Sequence, residues 1–426
     1  MNILLKNISL IQDKKIVIKD VLIENQNITR IEKQINDAKN AEMFDGKNLF
    51  LTPGLIDVHT HTRTPGFEYK EDLSSFNQAA IHGGITTVCA MANIDPIPDN
   101  PETYQRIQKQ LSTFSVIDIY QMGAVTKDLK TNEIVDFYQL KMVGAKWFSN
   151  DGFGIQSKRT MEKILIEIKK HDLLISTHLE SNQIKKHGMM DQTNFTKKHN
   201  IASFDKSSEY LQLARDIELL KVTNARYHAG HISTKESVDL IRKAKAEGLN
   251  ITCEVTPNHL LLTSEMIQND SGIYKINPPI RTEVDRQSLI IGLQDGTIDC
   301  IATDHAPHTS EEKKIPINQA AFGMIGLDFS FSLMYTHLVK TNLLSLQQLI
   351  DKMHTNPNKI FRLNANQIKV GEIANLVVWD LNKKYEINKH NLKSKQTNTP
   401  FLNQEVFAEN QLVIIKGKKI FQKEDI

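Results

Sequence analysis

Cysteine is scarce: Cys89, Cys253 and Cys300 are the only three in a chain of 426 residues. They are odd in number, far apart and each set in an apolar run. This excludes a disulfide framework or a CxxC motif and predicts reduced thiols in the core of a cytoplasmic protein. No apolar run approaches the roughly 18 residues of a membrane span. The opening Met1-Asn2-Ile3-Leu4-Leu5-Lys6 meets a charge too soon for a secretory signal. A net charge of +2 leaves no excess that would favour nucleic acid or an anionic membrane. Tandem repeats and low-complexity tracts are missing. What remains, 40% hydrophobic and 24% charged residues, is the composition of a soluble globular protein with a sizeable core.

The chain changes texture twice. Residues 1–52 hold short β-rich runs punctuated by Asn, Asp and Gly, with no long helical period. From Pro53, apolar strand-like runs alternate with amphipathic stretches. The runs cover 55–58, 85–92, 116–125, 145–148, 173–177, 226–232, 251–255 and 298–303. Helical candidates include 73–81, 161–170, 208–222, 235–246 and 284–293. Eight β units with intervening helices predict a parallel sheet closed into a (β/α)8 TIM-type barrel over 53–364. A doubly wound open sheet is the alternative, but no Gly-rich dinucleotide turn follows the first strand. β texture returns in 365–426. The two terminal segments are therefore expected to pair into a small flanking β-sandwich domain. The polar stretch 182–205 reads as a long surface loop, near the mouth of any site at that end of the barrel.

In such a barrel the site lies at the C-terminal ends of the strands. The apolar runs end there in His59, His61 and Arg63, in Asn93, in Asn150-Asp151, in His178, in His231, and in Asp304, His305 and His308. On one strand, His59 and His61 face the same way. Four histidines with Asp151 and Asp304 suit a pair of borderline-soft divalent ions, most simply zinc. Each also has a plainer reading. His178 and His231 could be hydrogen-bonded core histidines, Asp151 a turn or cap residue, and Arg63 half of a structural ion pair. His228 competes with His231 but, three residues away, faces the other side of a strand. Two metals sharing a hydroxide would attack a carbonyl near neutral pH. Asp304 would carry the proton to a leaving nitrogen, and Arg63 offers a planar fork for a carboxylate. The residues thus point to metal-assisted hydrolysis of a C–N bond in an anionic substrate.

The segments around Asp57-Val58-His59-Thr60-His61-Thr62-Arg63, Gly84-Ile85-Thr86-Thr87-Val88, Asn150-Asp151-Gly152, His228-Ala229-Gly230-His231, Asn277-Pro278-Pro279 and Thr303-Asp304-His305-Ala306-Pro307-His308 resemble class I dihydroorotases of the amidohydrolase superfamily, over essentially the full chain. The resemblance implies zinc-dependent, reversible cyclisation of N-carbamoyl-L-aspartate to L-dihydroorotate in pyrimidine synthesis. It implies His59, His61, Asp151, His178, His231 and Asp304 as ligands of two zinc ions bridged by hydroxide and Asp151, with Asp304 also the catalytic acid–base. It implies substrate contacts from His61, Arg63, Asn93, Asn277 and His308, and from the backbone at Phe322 and Gly323. A homodimer and association with aspartate transcarbamoylase are compatible partners.

Two departures stand out. Many members have Thr-Asp-Asp-Gly where this chain has Ser149-Asn150-Asp151-Gly152. Lys146, beside Trp147, could be a carboxylated metal bridge that displaces Asp151, as in related cyclic amidases, or it could point out of the barrel wall. The competing activities are a dihydropyrimidinase or allantoinase, whose substrates lack the ring carboxylate, and a non-catalytic scaffold subunit, which would have lost ligands.

Overall fold

The computed structural model describes residues 2–423. Two hairpins open the chain: β1 (Asn2–Gln12), β2 (Lys15–Glu24) and β3 (Asn27–Glu32). Their two-residue turns, Asp13-Lys14 and Asn25-Gln26, have positive φ at both positions, the geometry whose twist matches that of antiparallel strands. β4 (Ala41–Asp45) and β5 (Phe50–Pro53) follow, then the barrel strands. These are β6 (Leu55–Thr60), β7 (Ile85–Ala90), β8 (Asp118–Gln121), β9 (Trp147–Ser149), β10 (Leu174–Thr177), β11 (Tyr227–Ala229), β12 (Ile251–Val255) and β13 (Cys300–Ile301). β14 (Leu376–Glu386), β15 (Glu405–Ile415) and β16 (Lys418–Gln422) complete the described strands.

The two ends of the chain meet where β14 pairs antiparallel with β5, Leu376 opposite Pro53 and Trp379 opposite Phe50. The result is one sheet in the order β16-β15-β14-β5-β1-β2-β3, with β4 beside β1. Its core joins Ile3, Leu5 and Val21 to Leu376, Val378 and Leu412. Asp20, in β2, fastens it further: its carboxylate accepts from the backbone N–H groups of Asn7 and Ile35, each at 2.8 Å, and pairs with Lys6 at 2.7 Å.

The eight barrel strands are parallel, in two ladders, β6-β7-β8 and β9 to β13. Bridges between Gly123 and Phe148 and between Thr60 and His305 close the ring. β6 and β7 are buried at every position, which is why they read as continuous apolar runs. Helices cover the outside. The helix Pro101–Phe114, for example, starts at an Asn100 cap with proline in its first turn and buries Tyr104, Ile107 and Leu111. Inside the ring, Ile56, Val58, Cys89, Met122, Trp147 and Cys300 pack on Phe361 and Leu363. All three cysteines are free and buried, as expected.

The stretch 182–205 is more than a surface loop. It forms the short helices Asn182–Lys185 and Asn194–Lys198 and a bridge between Met190 and Ser203. Met190, Ile201 and Phe204 are its buried anchors, and three apolar residues among so many polar ones suffice to dock it. No described helix is long and apolar enough to cross a membrane.

Candidate functional site

β6 does not run straight into the site. Its pairing with β7 shifts register between Leu55 and Ile56 and again between Asp57 and Thr60, and such irregularities re-aim side chains. Val58 therefore packs in the barrel interior while His59 and His61, with ring centroids 5.7 Å apart, reach the cluster above it. Asp57 locks this end of the barrel. It accepts from the His59 and Thr303 N–H groups, each at 3.1 Å, and from the Thr303 hydroxyl at 2.5 Å.

Asp151 is the centre of the cluster. Its Oδ1 lies 3.2 Å from His59 Nε2, 3.2 Å from His231 Nε2 and 3.5 Å from His178 Nδ1, and its Oδ2 lies 3.5 Å from His61 Nε2. Two groups that could hold a metal ion result, His59–His61–Asp151 and Asp151–His178–His231, with Asp151 common to both. Asp304 completes the set, its Oδ1 3.0 Å from His61 Nε2 and 3.7 Å from His59 Nε2. Burial would push the Asp151 carboxyl up, but the imidazoles of His59, His178 and His231 hold it well below the usual range. Burial also opposes ionisation of Asp304, and again His61 and its neighbours prevail, so it is anionic. Buried His59 Nε2 has no hydrogen-bond partner. An orphaned imidazole nitrogen among two carboxylates and three further imidazoles fits a divalent cation. Arg63, His231 and Asp304 all have positive φ, +59°, +28° and +49°, strain of the kind that collects at functional sites.

Behind the cluster stand groups that fix the orientation of its side chains. Glu254, in the middle of β12 and fully buried, takes His59 Nδ1 at 2.5 Å, the His231 N–H at 3.2 Å and His228 Nε2 at 3.1 Å. His228 is thus a supporting residue and His231 the one in the cluster. Asn93 takes His61 Nδ1 on its Oδ1 at 2.8 Å and lies 3.3 Å from Asp151 Oδ2 through its amide nitrogen. Glu180 lies 3.1 Å from His178 Nε2. A carboxylate or amide oxygen on the far nitrogen of a ligand histidine selects the tautomer that presents a lone pair to the metal. Neither Glu254 nor Glu180 was singled out from sequence. A glutamate inside an apolar strand is nevertheless a signal, because a buried charge demands partners.

The cluster borders a cavity of about 280 Å³, whose lining includes His61, Arg63, Asn93, Asp151, Asn277, Asp304, His308, Phe322 and Gly323. All the substrate-contact candidates are therefore brought together. Arg63 is buried and, among the described residues, has no carboxylate at ion-pair distance. Its partners are neutral: the Pro307 carbonyl at 3.2 Å and His308 Nε2 at 3.0 Å. Burial lowers its pKa to about 10, which leaves it charged at neutral pH. Burial, then the cations Arg63 and Lys70, hold His308 neutral, so Nε2 accepts from Arg63 while Nδ1 faces Glu312 at 3.1 Å. Gly323 has φ +142°, and a Cβ there would stand 2.7 Å from the Ala306 carbonyl oxygen, so only glycine lets this backbone approach the cavity.

Two sequence alternatives are decided here. Lys146 precedes β9, at the end of the strand opposite the site, and is exposed with its ammonium over the Trp147 ring. It is not a metal bridge. Asn150 has a structural role: its Oδ1 accepts from the Val125 N–H at 2.9 Å and its amide donates to Thr126 Oγ1 at 2.7 Å and the Leu129 carbonyl at 2.9 Å. An aspartate could not make the last of these bonds. His305 is likewise outside the cluster, with Nδ1 accepting from the Gly326 N–H at 3.2 Å.

Residues 50–420 match the Amidohydrolase family model. A dihydroorotase of Pediococcus pentosaceus is 43% identical over 425 residues, the whole of both chains. One from Lactobacillus leichmannii is 42% identical over 99% of both. Among solved structures, the L-hydantoinase of Arthrobacter aurescens superposes with a TM-score of 0.88 at 24% identity, covering 100% of this chain and 97% of that one. A dihydropyrimidinase of Brevibacillus agri superposes at 0.85 and 20% identity, covering 99% and 95%. At these identities the structural likeness shows the shared barrel fold.

Proposed function

This chain belongs to the amidohydrolase family and, within it, to the dihydroorotases, and from that premise we propose how its residues interconvert N-carbamoyl-L-aspartate and L-dihydroorotate. The observation that carries the reading is the pairing, in one small cavity, of a carboxylate shared by two ligand groups with a buried arginine that lacks an anion. His59, His61, Asp151, His178, His231 and Asp304 would hold two zinc ions, with Asp151 between them. Bound there, the metal would acidify a water molecule and polarise the ring carbonyl it attacks.

The remaining work falls to side chains. Arg63 takes the ring carboxylate in a planar, charge-assisted pair, which supplies the anion its buried charge lacks. His308 holds the guanidinium through Nε2, and Asn93, which lines the same cavity, completes the clamp. The backbone at Phe322 and Gly323 and the amide of Asn277 hold the ring. Asp304, anionic and within reach of the cluster, accepts the proton of the attacking water and passes it to the ring nitrogen as the C–N bond breaks. In the biosynthetic direction the same steps run backwards.

Arg63 separates this activity from its neighbours. The hydantoinases and dihydropyrimidinases that share the fold are named for rings that carry no carboxylate at this position, and a buried unpaired guanidinium would serve no purpose for them. The test is ring opening of L-dihydroorotate by zinc-loaded protein, with dihydrouracil and allantoin alongside. Selective turnover of dihydroorotate, abolished by Asp304→Asn, is the expected result. Turnover of dihydrouracil but not dihydroorotate would overturn it.

A further inference from the structure

Three contacts meet on Glu180, a residue with no role so far except behind His178. Its Oε2 accepts from Asn277 Nδ2 at 2.7 Å and from Lys185 Nζ at 2.8 Å, and lies 3.1 Å from His178 Nε2. The side chain is 5% exposed. A carboxylate only accepts, so the edge of the Asn277 amide that faces it is the NH2 group. The other edge, Asn277 Oδ1, is buried and has no hydrogen-bond partner, and Asn277 lines the cavity. An unpaired buried carbonyl carries a free-energy cost that an arriving donor relieves.

Lys185 extends the arrangement. It sits in the short helix that begins the 182–205 segment, and its ammonium lies 5.0 Å from the Phe204 ring centroid and 5.1 Å from that of Phe322. One cation thus joins Glu180, the far end of the segment and the loop bearing Gly323.

We propose that Glu180 is a positioning residue that sets specificity: held by Lys185, it binds the NH2 group of Asn277 and leaves Asn277 Oδ1 to accept a ring N–H of a cyclic ureide. Without Glu180 the amide is free to turn over and offer a donor instead, and recognition of the N–H is lost. The inference rests on the dihydroorotase reading above.

The test uses full-length, zinc-loaded enzyme. The KM for L-dihydroorotate is compared with the inhibition constants of two analogues in which one or the other ring N–H is replaced by CH2. In the wild type, one analogue is expected to bind roughly tenfold more weakly than the parent, the loss of one hydrogen bond to a buried acceptor. In Glu180→Gln, whose amide can accept or donate, that ratio is expected to shrink below about threefold, the remainder of that bond. Both enzymes are assayed at saturating zinc, with metal content read by plasma mass spectrometry, so that a loosened His178 does not enter the ratio. An unchanged ratio in Glu180→Gln overturns the proposal, as does a wild type that binds both analogues as well as the parent. Should Glu180→Gln fail to fold, Lys185→Met is read the same way: a reduced ratio supports the proposal and an unchanged one overturns it. Wild-type enzyme that ignores dihydroorotate altogether would instead overturn the assigned reaction.

Discussion

Replacing Arg63 by methionine should damage catalysis and strengthen the fold at the same time. The guanidinium is buried beside two neutral acceptors only. Its pKa falls from 12.5 to about 10, which corresponds to roughly 3 kcal/mol of unfavourable free energy for holding the charge inside the empty site. The sign follows from proton binding. A base whose folded pKa is depressed destabilises the fold fully below that pKa and ceases to do so only at alkaline pH, so the whole penalty applies at pH 7. Methionine removes it and forfeits two hydrogen bonds worth about 1 kcal/mol each. The metal-free protein should therefore gain on the order of 1 kcal/mol, a rise of a degree or two in Tm.

The effect on dihydroorotate is opposite and larger. Two charge-assisted bonds to its carboxylate, each about 1.5 kcal/mol or more, make a loss of roughly a hundredfold in kcat/KM, mostly in KM because the carboxylate is bound throughout the reaction. Steady-state kinetics and calorimetry of one preparation measure both. An Arg63→Met enzyme that is less stable, or that keeps wild-type KM, would refute the idea of a cation held ready for the substrate.

Glu254→Gln exchanges the charged carboxylate shared by His59, His228 and the His231 backbone for a neutral amide with one accepting oxygen, and zinc affinity should fall about ten- to a hundredfold, read by competition with a chromophoric chelator. Lys146→Ala should leave metal content and kcat/KM unchanged, because that side chain lies outside the barrel; loss of zinc in this variant would revive the carboxylated-lysine bridge. Asp20 has its pKa lowered from 3.8, burial being outweighed by Lys6 and the two backbone donors. Its contribution is therefore present above about pH 4 and lost as pH falls through the lowered value. Asp20→Asn should destabilise the protein by about 1–3 kcal/mol at pH 7 and less at pH 3, as followed by denaturant melts.

Much of the site was legible because barrels display their chemistry at strand ends. His59, His61, Asp151, His178, His231 and Asp304 each follow an apolar run, and the structure gathers all six. Asn150 could be described as a lost carboxylate, but its role in holding Thr126 and Leu129 depends on a loop some 20 residues earlier. The 182–205 segment was misjudged because its polarity masks the few apolar residues that dock it. Asn93 read as a substrate contact also orients His61, a second use that a sequence motif does not convey.

Periodicity, turn chemistry and the position of a polar residue at the end of an apolar run are local properties. They pointed to the eight strands, the flanking sheet and the six polar residues that the structure gathers into one cluster, without any knowledge of contacts. Tertiary structure alone decided which ring nitrogens converge and which charges are left unpaired. It set His59 against Glu254, 195 residues away, and His61 against Asp304, 243 away. It left Arg63 without a carboxylate and turned Lys146 to solvent. Hydrogen bonds and desolvation act over a few ångströms between groups that chain distance does not relate, and only the closed barrel brings them within that range.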